Sequence, residues 1–158
     1  VYTNPYALPR VFMVGSYRVL GRERVLAELT DQGFDPESEV LLEKEPGVKP
    51  EPSEGNAAEI TKYSLNSISI RARAEKPCIL VLSEIDYPDW RATVNGRETE
   101  ILTADYCLRA LPLEAGDHEI VFEFKSPVIR KSLLMSVISL VLAASLAVAA
   151  RVTAGRKG

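Results

Sequence analysis

Short apolar runs and alternating apolar and polar positions occupy most of the chain. Ile68, Ile70, Ala72 and Ala74 alternate with polar residues, which predicts a strand with one buried face. Residues 78–84 are almost continuously apolar, as expected for a central strand covered on both faces. Several such runs, separated by turn signals, predict a mainly β fold, an antiparallel β-sandwich of the jelly-roll or immunoglobulin-like kind.

Turn residues separate the later strands. Asn95–Gly96 predicts a type I′ hairpin, because both central positions of that turn need positive φ. Gly116 marks another turn, and the strand after it carries His118 on the face shared by apolar residues. We therefore expect structural roles for these four residues, with the His118 imidazole bonded to backbone carbonyls of the preceding turn rather than acting as a base.

One short helix is predicted near the start of the chain. Residues 21–36 place Val25, Leu26 and Leu29 on one face, and a strand pattern follows at 38–44. Residues 45–55 are rich in Pro, Glu and Gly and predict a flexible loop.

The stretch 132–150 differs from everything before it. It contains no charge, Pro or Gly, and as a helix it would be about 28 Å long, near the thickness of a bilayer core. A buried helix of a soluble domain is the alternative, but the rest of the chain is too small to surround it. We therefore expect a β domain at 1–127, a juxtamembrane segment at 128–131, a transmembrane helix at 132–150 and a basic tail at 151–158. We also expect the sequence, which starts at Val1, to be the C-terminal piece of a longer protein.

Composition narrows the chemistry. The chain has 158 residues and a net charge of −3, without the basic clusters that nucleic acids require. A single histidine excludes a multi-histidine metal site, and no nucleotide, phosphate or nucleophile motif is present, so no metal, cofactor or catalytic residue is predicted. Cys78 and Cys107 lack zinc-site spacing; a disulfide would be permitted outside the cytoplasm, but a free buried thiol is the simpler interpretation for Cys78.

The stretch 86–90 contains the only tryptophan and is the candidate ligand site. In one interpretation Tyr87 and Trp90 stack on a sugar while Asp86 and Asp89 accept its hydroxyls. In the other, Trp90 anchors the core, since it shares the face of Ala92 on its strand. The alternation favours burial of Trp90, which leaves Tyr87 and Asp89 as the better surface candidates.

Residues 80–127, followed directly by an apolar helix, resemble the C-terminal part of YfhO-type bacterial membrane proteins. The resemblance also includes Asn4, Pro9 and Arg10 and the segment 34–43. Its further matching positions are Tyr87, Pro88 and Trp90; Asn95 and Gly96; Arg109, Ala110 and Leu111; Pro112; Gly116 and His118; Phe122 and Phe124; and Pro127.

The resemblance implies a large polytopic protein whose N-terminal transmembrane block looks like that of lipid-linked-sugar glycosyltransferases. The β domain would lie outside the cytoplasm of a bacterium, and the last helix would return the tail to the cytoplasm. Any catalytic acid would lie in the N-terminal block, so the full-length protein could be a membrane glycosyltransferase although this fragment is not. The implied partners are that block, membrane lipid and an envelope glycan.

Three functions therefore remain open at the level of the sequence. The chain is a non-catalytic accessory domain of a membrane glycosyltransferase-like protein, a membrane-anchored carbohydrate-binding module, or a protein-interaction ectodomain. Hydrophobic spans upstream in the reading frame would distinguish the first function from the other two. A glycan-binding screen would distinguish the second from the third.

Overall fold

The computed structural model describes residues 7–126, 131–143 and 145. The chain divides into two compact units, Val1–Phe124 and Lys125–Gly158. The first unit contains eleven strands and one helix among its described residues, in the order β1 (Val11–Val14), β2 (Ser16–Val19), α1 (Arg22–Leu29), β3 (Glu39–Leu42), β4 (Ala57–Ser64), β5 (Ser67–Ala74), β6 (Cys78–Ile85), β7 (Trp90–Val94), β8 (Arg97–Thr99), β9 (Leu102–Ala104), β10 (Leu108–Leu113) and β11 (Gly116–Phe124).

The strands form two sheets. One has six strands in the order β1-β6-β10-β9-β3-β2, and the other has five in the order β4-β5-β11-β7-β8. The prediction of a mainly β, largely antiparallel fold with two sheets is confirmed, whereas its jelly-roll or immunoglobulin-like classification stays a prediction. One pair departs from the antiparallel expectation, because β2 and β3 are parallel. Helix α1 lies between them in the chain, and such a crossover is what parallel neighbours need.

The main core lies between the two sheets. It joins Ile68, Ile70 and Phe122 of the five-stranded sheet to Leu80 and Leu82 of the six-stranded sheet. The intervening Ile79 and Val81 of β6 belong to a second cluster on the other face of the same strand. The prediction that β6 is central and covered on both faces is confirmed, as is the buried face of β5.

Helix α1 is shorter than the predicted segment and differs in its buried face. It ends at Leu29, where Thr30 caps it by donating its backbone N–H to Ala27 O. Val25 is fully buried, but Leu26, which was predicted on the same face, is 50 % exposed. The prediction for Leu26 was therefore wrong: over two turns the helix buries a single residue rather than a broad stripe.

The second unit contains a helix over residues 131–143, and residue 145 is also helical. The described side chains of this helix are all exposed, including Leu133, Leu134, Met135 and Leu140. Within the described residues, no helix combines the length and apolar character needed to cross a membrane. Residues 144 and 146–150 of the predicted span lie outside the described residues, as do 1–6, 127–130 and the tail 151–158.

Candidate functional site

The stretch 86–90 forms a tight turn at the entrance to β7. The Trp90 N–H donates to Tyr87 O over 3.4 Å, Pro88 occupies the second position, and Asp89 has φ of 79°. This is the pattern of a type II turn, whose third position prefers glycine or asparagine. Asp89 is therefore held in a backbone conformation that an aspartate adopts at a cost.

Trp90 is half-buried and is supported by a buried cation. The Arg109 guanidinium carbon lies 3.9 Å from the centre of the Trp90 ring. The Phe124 ring meets the indole edge-on, with centroids 5.7 Å apart. Trp90 thus packs against the inter-sheet core and also lines a surface cleft. Trp90 therefore has a feature of each interpretation of the sequence, since it packs on the core and also lines a candidate ligand site.

Arg109 is 3 % exposed and its side chain points into the space between the sheets. Its Nε and Nη2 donate to Ile85 O over 3.0 and 2.8 Å, whereas Nη1 has no hydrogen-bond partner among the described residues. Burial lowers the pKa of Arg109, and the charges of Glu84 and Asp86 oppose that shift. The guanidinium therefore serves as a fixed platform under the indole.

A second strained turn faces the first one. Asp105 and Tyr106, in the loop between β9 and β10, have φ of 44° and 76°. The Leu41 N–H donates to Asp105 Oδ1 over 2.9 Å, and burial raises the pKa of the Asp105 carboxyl. The Tyr106 ring lies under the Arg22 guanidinium at 4.3 Å. A bulky residue at positive φ persists only where its surroundings hold it, as these contacts do here.

The two turns border a cleft of about 760 Å³, which is within the usual range for small-ligand sites. All four candidate residues, Asp86, Tyr87, Asp89 and Trp90, line it. The other lining residues are Arg22, Ile85, Pro88, Arg91, Ala92, Glu98, Thr99, Glu100, Ile101, Thr103, Tyr106 and Cys107.

The polar groups of the cleft differ in how they are engaged. Thr103 donates its hydroxyl to Asp86 Oδ2 over 3.0 Å, and the Asp86 backbone N–H donates to Cys107 O over 2.6 Å. Arg91 pairs with Glu98 at 3.6 Å. Within the described part of the chain, the Asp89 carboxylate has neither a hydrogen bond nor an ion pair. Asp89 is therefore the acceptor most available to a ligand.

The predicted structural residues lie at the opposite end of the same strands. Asn95 and Gly96 have φ of 51° and 76°, the signs a type I′ turn requires, and Gly116 has φ of 135°. The His118 Nε2 is 2.8 Å from Glu114 O, and its Nδ1 is 3.3 Å from Asn95 Nδ2. This arrangement fits a neutral imidazole that donates from Nε2 and accepts at Nδ1.

Within the parts of the chain that the structure describes, no group of three or more His, Cys, Asp or Glu is placed to hold a metal ion. The two cysteines are free thiols. Cys78 pairs with Leu113 at one end of the β6–β10 ladder, while Cys107 precedes Leu108 at the other end, so about 20 Å of strand separates them. A disulfide between them is excluded by that distance.

Sequence reasoning did not identify Arg22, Thr103, Tyr106 or Arg109 as parts of this region. Burial of Arg109 could have been predicted from the sequence. In a strand, every second residue lies on the same face, and Arg109 therefore lies on the face of Leu111 and Leu113, both of which are buried. No local sequence pattern predicted the role of Arg22, because its contact with Tyr106 joins residues far apart in the sequence.

Comparison with known proteins identifies the family. The family described as "Bacterial membrane protein YfhO" matches residues 53–136, a little over half of the chain, and this range includes the cleft turns at 86–90 and 105–107. The resembling segments before residue 53 lie outside it. No curated protein and no solved structure matches the chain. The chain belongs to the YfhO family of bacterial membrane proteins.

Proposed function

We propose that the two-sheet unit is a non-catalytic accessory domain of a polytopic membrane protein and that its cleft binds the saccharide part of an envelope polymer. The observation that carries the saccharide proposal is the cleft itself. An indole fixed by Arg109 and a tyrosine fixed by Arg22 border it, and the unpaired Asp89 carboxylate lies beside the indole. Aromatic faces stack on the apolar faces of sugars, and carboxylates accept their hydroxyls.

The charged groups at the cleft restrict the class of saccharide that can bind. The Arg22 and Arg91 guanidiniums at the cleft are already paired with Glu43 and Glu98. Asp86 accepts only from a neutral hydroxyl, and Asp89 has no partner among the described residues. Neither carboxylate forms an ion pair among the described residues, so both would repel an anionic ligand. The ligand is therefore a neutral or amino-sugar saccharide rather than a phosphorylated or uronic one.

The accessory role rests on the family to which the chain belongs. A YfhO protein is a membrane protein. The resemblance further implies a large N-terminal transmembrane block like that of lipid-linked-sugar glycosyltransferases, and that block would hold the catalytic acid. His118 lies at the end of the strands away from the cleft and is already bonded to Glu114 and Asn95. His118 is therefore not one of the residues that line the cleft.

Anchoring by residues 132–150 is the second part of the proposal. Support comes from the described helix 131–143, which exposes apolar side chains around its whole circumference. Ser139 and Ser145 donate their hydroxyls to Met135 O and Val141 O over 2.9 and 2.8 Å, so these polar groups are satisfied within the helix, as a lipid environment demands. The two-sheet unit would lie outside the cytoplasm and the tail 151–158 inside.

The saccharide proposal is tested on the detergent-solubilised chain with a panel of neutral, amino-sugar and acidic oligosaccharides. Asp89→Asn removes the charge but keeps a residue that tolerates positive φ. Loss of a hydrogen bond to a charged acceptor should weaken binding about 10- to 100-fold. The matched control is Asp117→Asn, an exposed aspartate beside Gly116 at the opposite end of the unit.

Three outcomes separate the alternatives. Binding of one neutral or amino-sugar class that Asp89→Asn weakens and Asp117→Asn does not supports the proposal. Binding without an upstream block of hydrophobic spans in the reading frame would instead support an independent membrane-anchored carbohydrate-binding module. Absence of binding across the panel contradicts the saccharide proposal and leaves a protein-interaction ectodomain as the function to test.

A further inference from the structure

One end of the two-sheet unit exposes large apolar and aromatic side chains. Leu65, at the tip of the β4–β5 hairpin, is 95 % exposed. Ile85, at the end of β6, is 65 % exposed, Tyr87 is 62 % exposed and Tyr63 is 53 % exposed. We call these four residues the apex. A solitary exposed leucine needs no explanation, but several at one end mark a contact surface.

The contacts of β11 place the apex residues at the same end. The Phe124 N–H, at the close of β11, donates to Asn66 O beside Leu65. The Tyr87 ring lies 6.4 Å from the Phe124 ring. Trp90 pairs with Phe124 across the sheet and stacks on Arg109, which in turn is bonded to Ile85 O. The apex is therefore the end at which the chain leaves the two-sheet unit.

We propose that the apex contacts the membrane interface. This inference rests on the anchoring part of the proposed function. Six residues, 125–130, connect Phe124 to the apolar helix, and even fully extended they span only about 20 Å. The nine residues of β11 separate the apex from the Gly116 end by about 30 Å. An anchored helix would thus hold the apex, rather than the Gly116 end, beside the bilayer.

The residue types at the apex suit a lipid headgroup region. Tyrosine side chains concentrate at membrane interfaces, where the ring is apolar and the hydroxyl is hydrated. The Tyr63 hydroxyl donates to Glu84 Oε1 over 3.0 Å. The Arg10 guanidinium lies 5.1 Å above the Tyr63 ring and 3.6 Å from Glu84, so it offsets the charge of that carboxylate at the apex. Leu65 and Ile85 supply the apolar contacts that would enter the interface.

The test measures membrane depth with an environment-sensitive fluorophore attached to single cysteines. The whole chain is reconstituted in vesicles of phosphatidylethanolamine and phosphatidylglycerol that contain a nitroxide-labelled lipid. The background is Cys107→Ser, because Cys78 is fully buried and its pKa of about 11 keeps it unreactive. Leu65→Cys and Ile85→Cys report the apex, Arg97→Cys reports the Gly96 end, and Leu140→Cys reports the helix.

We expect the Leu65→Cys and Ile85→Cys probes to emit at shorter wavelength than the Arg97→Cys probe and to be quenched severalfold more by the nitroxide lipid. The Leu140→Cys probe should be quenched most. If the Leu140→Cys probe is quenched while both apex probes match Arg97→Cys, the apex inference is wrong and anchoring stands. If Leu140→Cys is not quenched, anchoring fails and the apex inference fails with it. Leu65 makes almost no packing contact, so its substitution leaves the fold intact, which Trp90 emission checks.

Discussion

Replacing Arg109 tests what supports the indole at the cleft. The guanidinium stacks on Trp90 at 3.9 Å and donates twice to Ile85 O, yet it is a buried charge with an unpaired Nη1. A desolvated cation–π contact contributes about 2 kcal/mol, and hydrogen bonds from a charged donor about 1.5–3 kcal/mol. The buried unpaired group offsets about 1–3 kcal/mol of that sum.

Three substitutions of Arg109 should therefore lower the free energy of unfolding by different amounts. Arg109→Lys keeps the buried charge but loses the planar stack and the forked donation, so it should lower the free energy of unfolding by about 3 kcal/mol. Arg109→Met keeps much of the side-chain volume and removes the charge, which should reduce the loss to about 1 kcal/mol. Arg109→Ala adds a cavity to the lost contacts and should lower the free energy of unfolding by about 3–4 kcal/mol.

Urea unfolding of the detergent-solubilised chain measures these differences. Trp90 is the only tryptophan, so its emission reports the two-sheet unit, and circular dichroism supplies a second probe that does not depend on the stack itself. If Arg109→Lys is tolerated within about 0.5 kcal/mol while Arg109→Met is not, then charge rather than the planar fork supports the indole, and the reasoning is refuted.

Three further predictions concern the turns and the thiols. Asp89→Gly should raise the melting temperature through about 0.5–1 kcal/mol of relieved strain, because glycine accepts φ of 79° freely; a lower melting temperature would contradict the type II turn. Asp105→Asn should stabilise the chain at neutral pH and converge with wild type in acid. Burial raises the pKa of the Asp105 carboxyl, so the folded state binds the proton more tightly and loses stability as pH rises through that pKa. Thermal melts across pH check this, and parallel profiles would refute it. Cys107 should react with a thiol reagent in the native chain, whereas Cys78, with a pKa of about 11, should react only on unfolding; mass spectrometry that finds an intramolecular disulfide would contradict the strand geometry.

Local patterns predicted the strands whose burial is periodic. The alternation in β5 and the continuous apolar run of β6 are properties of single segments, so the sequence was sufficient for them. Strand β2 was not predicted, because its four residues SYRV have no buried member and the strand exists through its parallel pairing with β3. Leu26 was misassigned because helical spacing specifies a face but not which neighbours cover it.

Only part of the cleft could be predicted, because local patterns predict contiguous residues but not contacts between distant segments. Asp86, Tyr87, Asp89 and Trp90 are contiguous, and their turn signal brings them together without the rest of the fold. Tyr106 reaches the cleft through a different hairpin. Its turn has two residues with positive φ, and neither is a glycine that would have indicated the turn in the sequence. Pairing across sheets depends on register, which no single segment encodes.

Tryptophan fluorescence of the whole chain, titrated with neutral and amino-sugar envelope oligosaccharides, tests the central claim most directly. Because all tryptophan emission comes from Trp90 at the cleft, a bound saccharide should shift that emission and protect the indole from an aqueous quencher. Asp89→Asn should move both effects to about 10- to 100-fold higher saccharide concentrations. Emission and quenching that stay unchanged at saturating concentrations of every saccharide would contradict a saccharide-binding cleft.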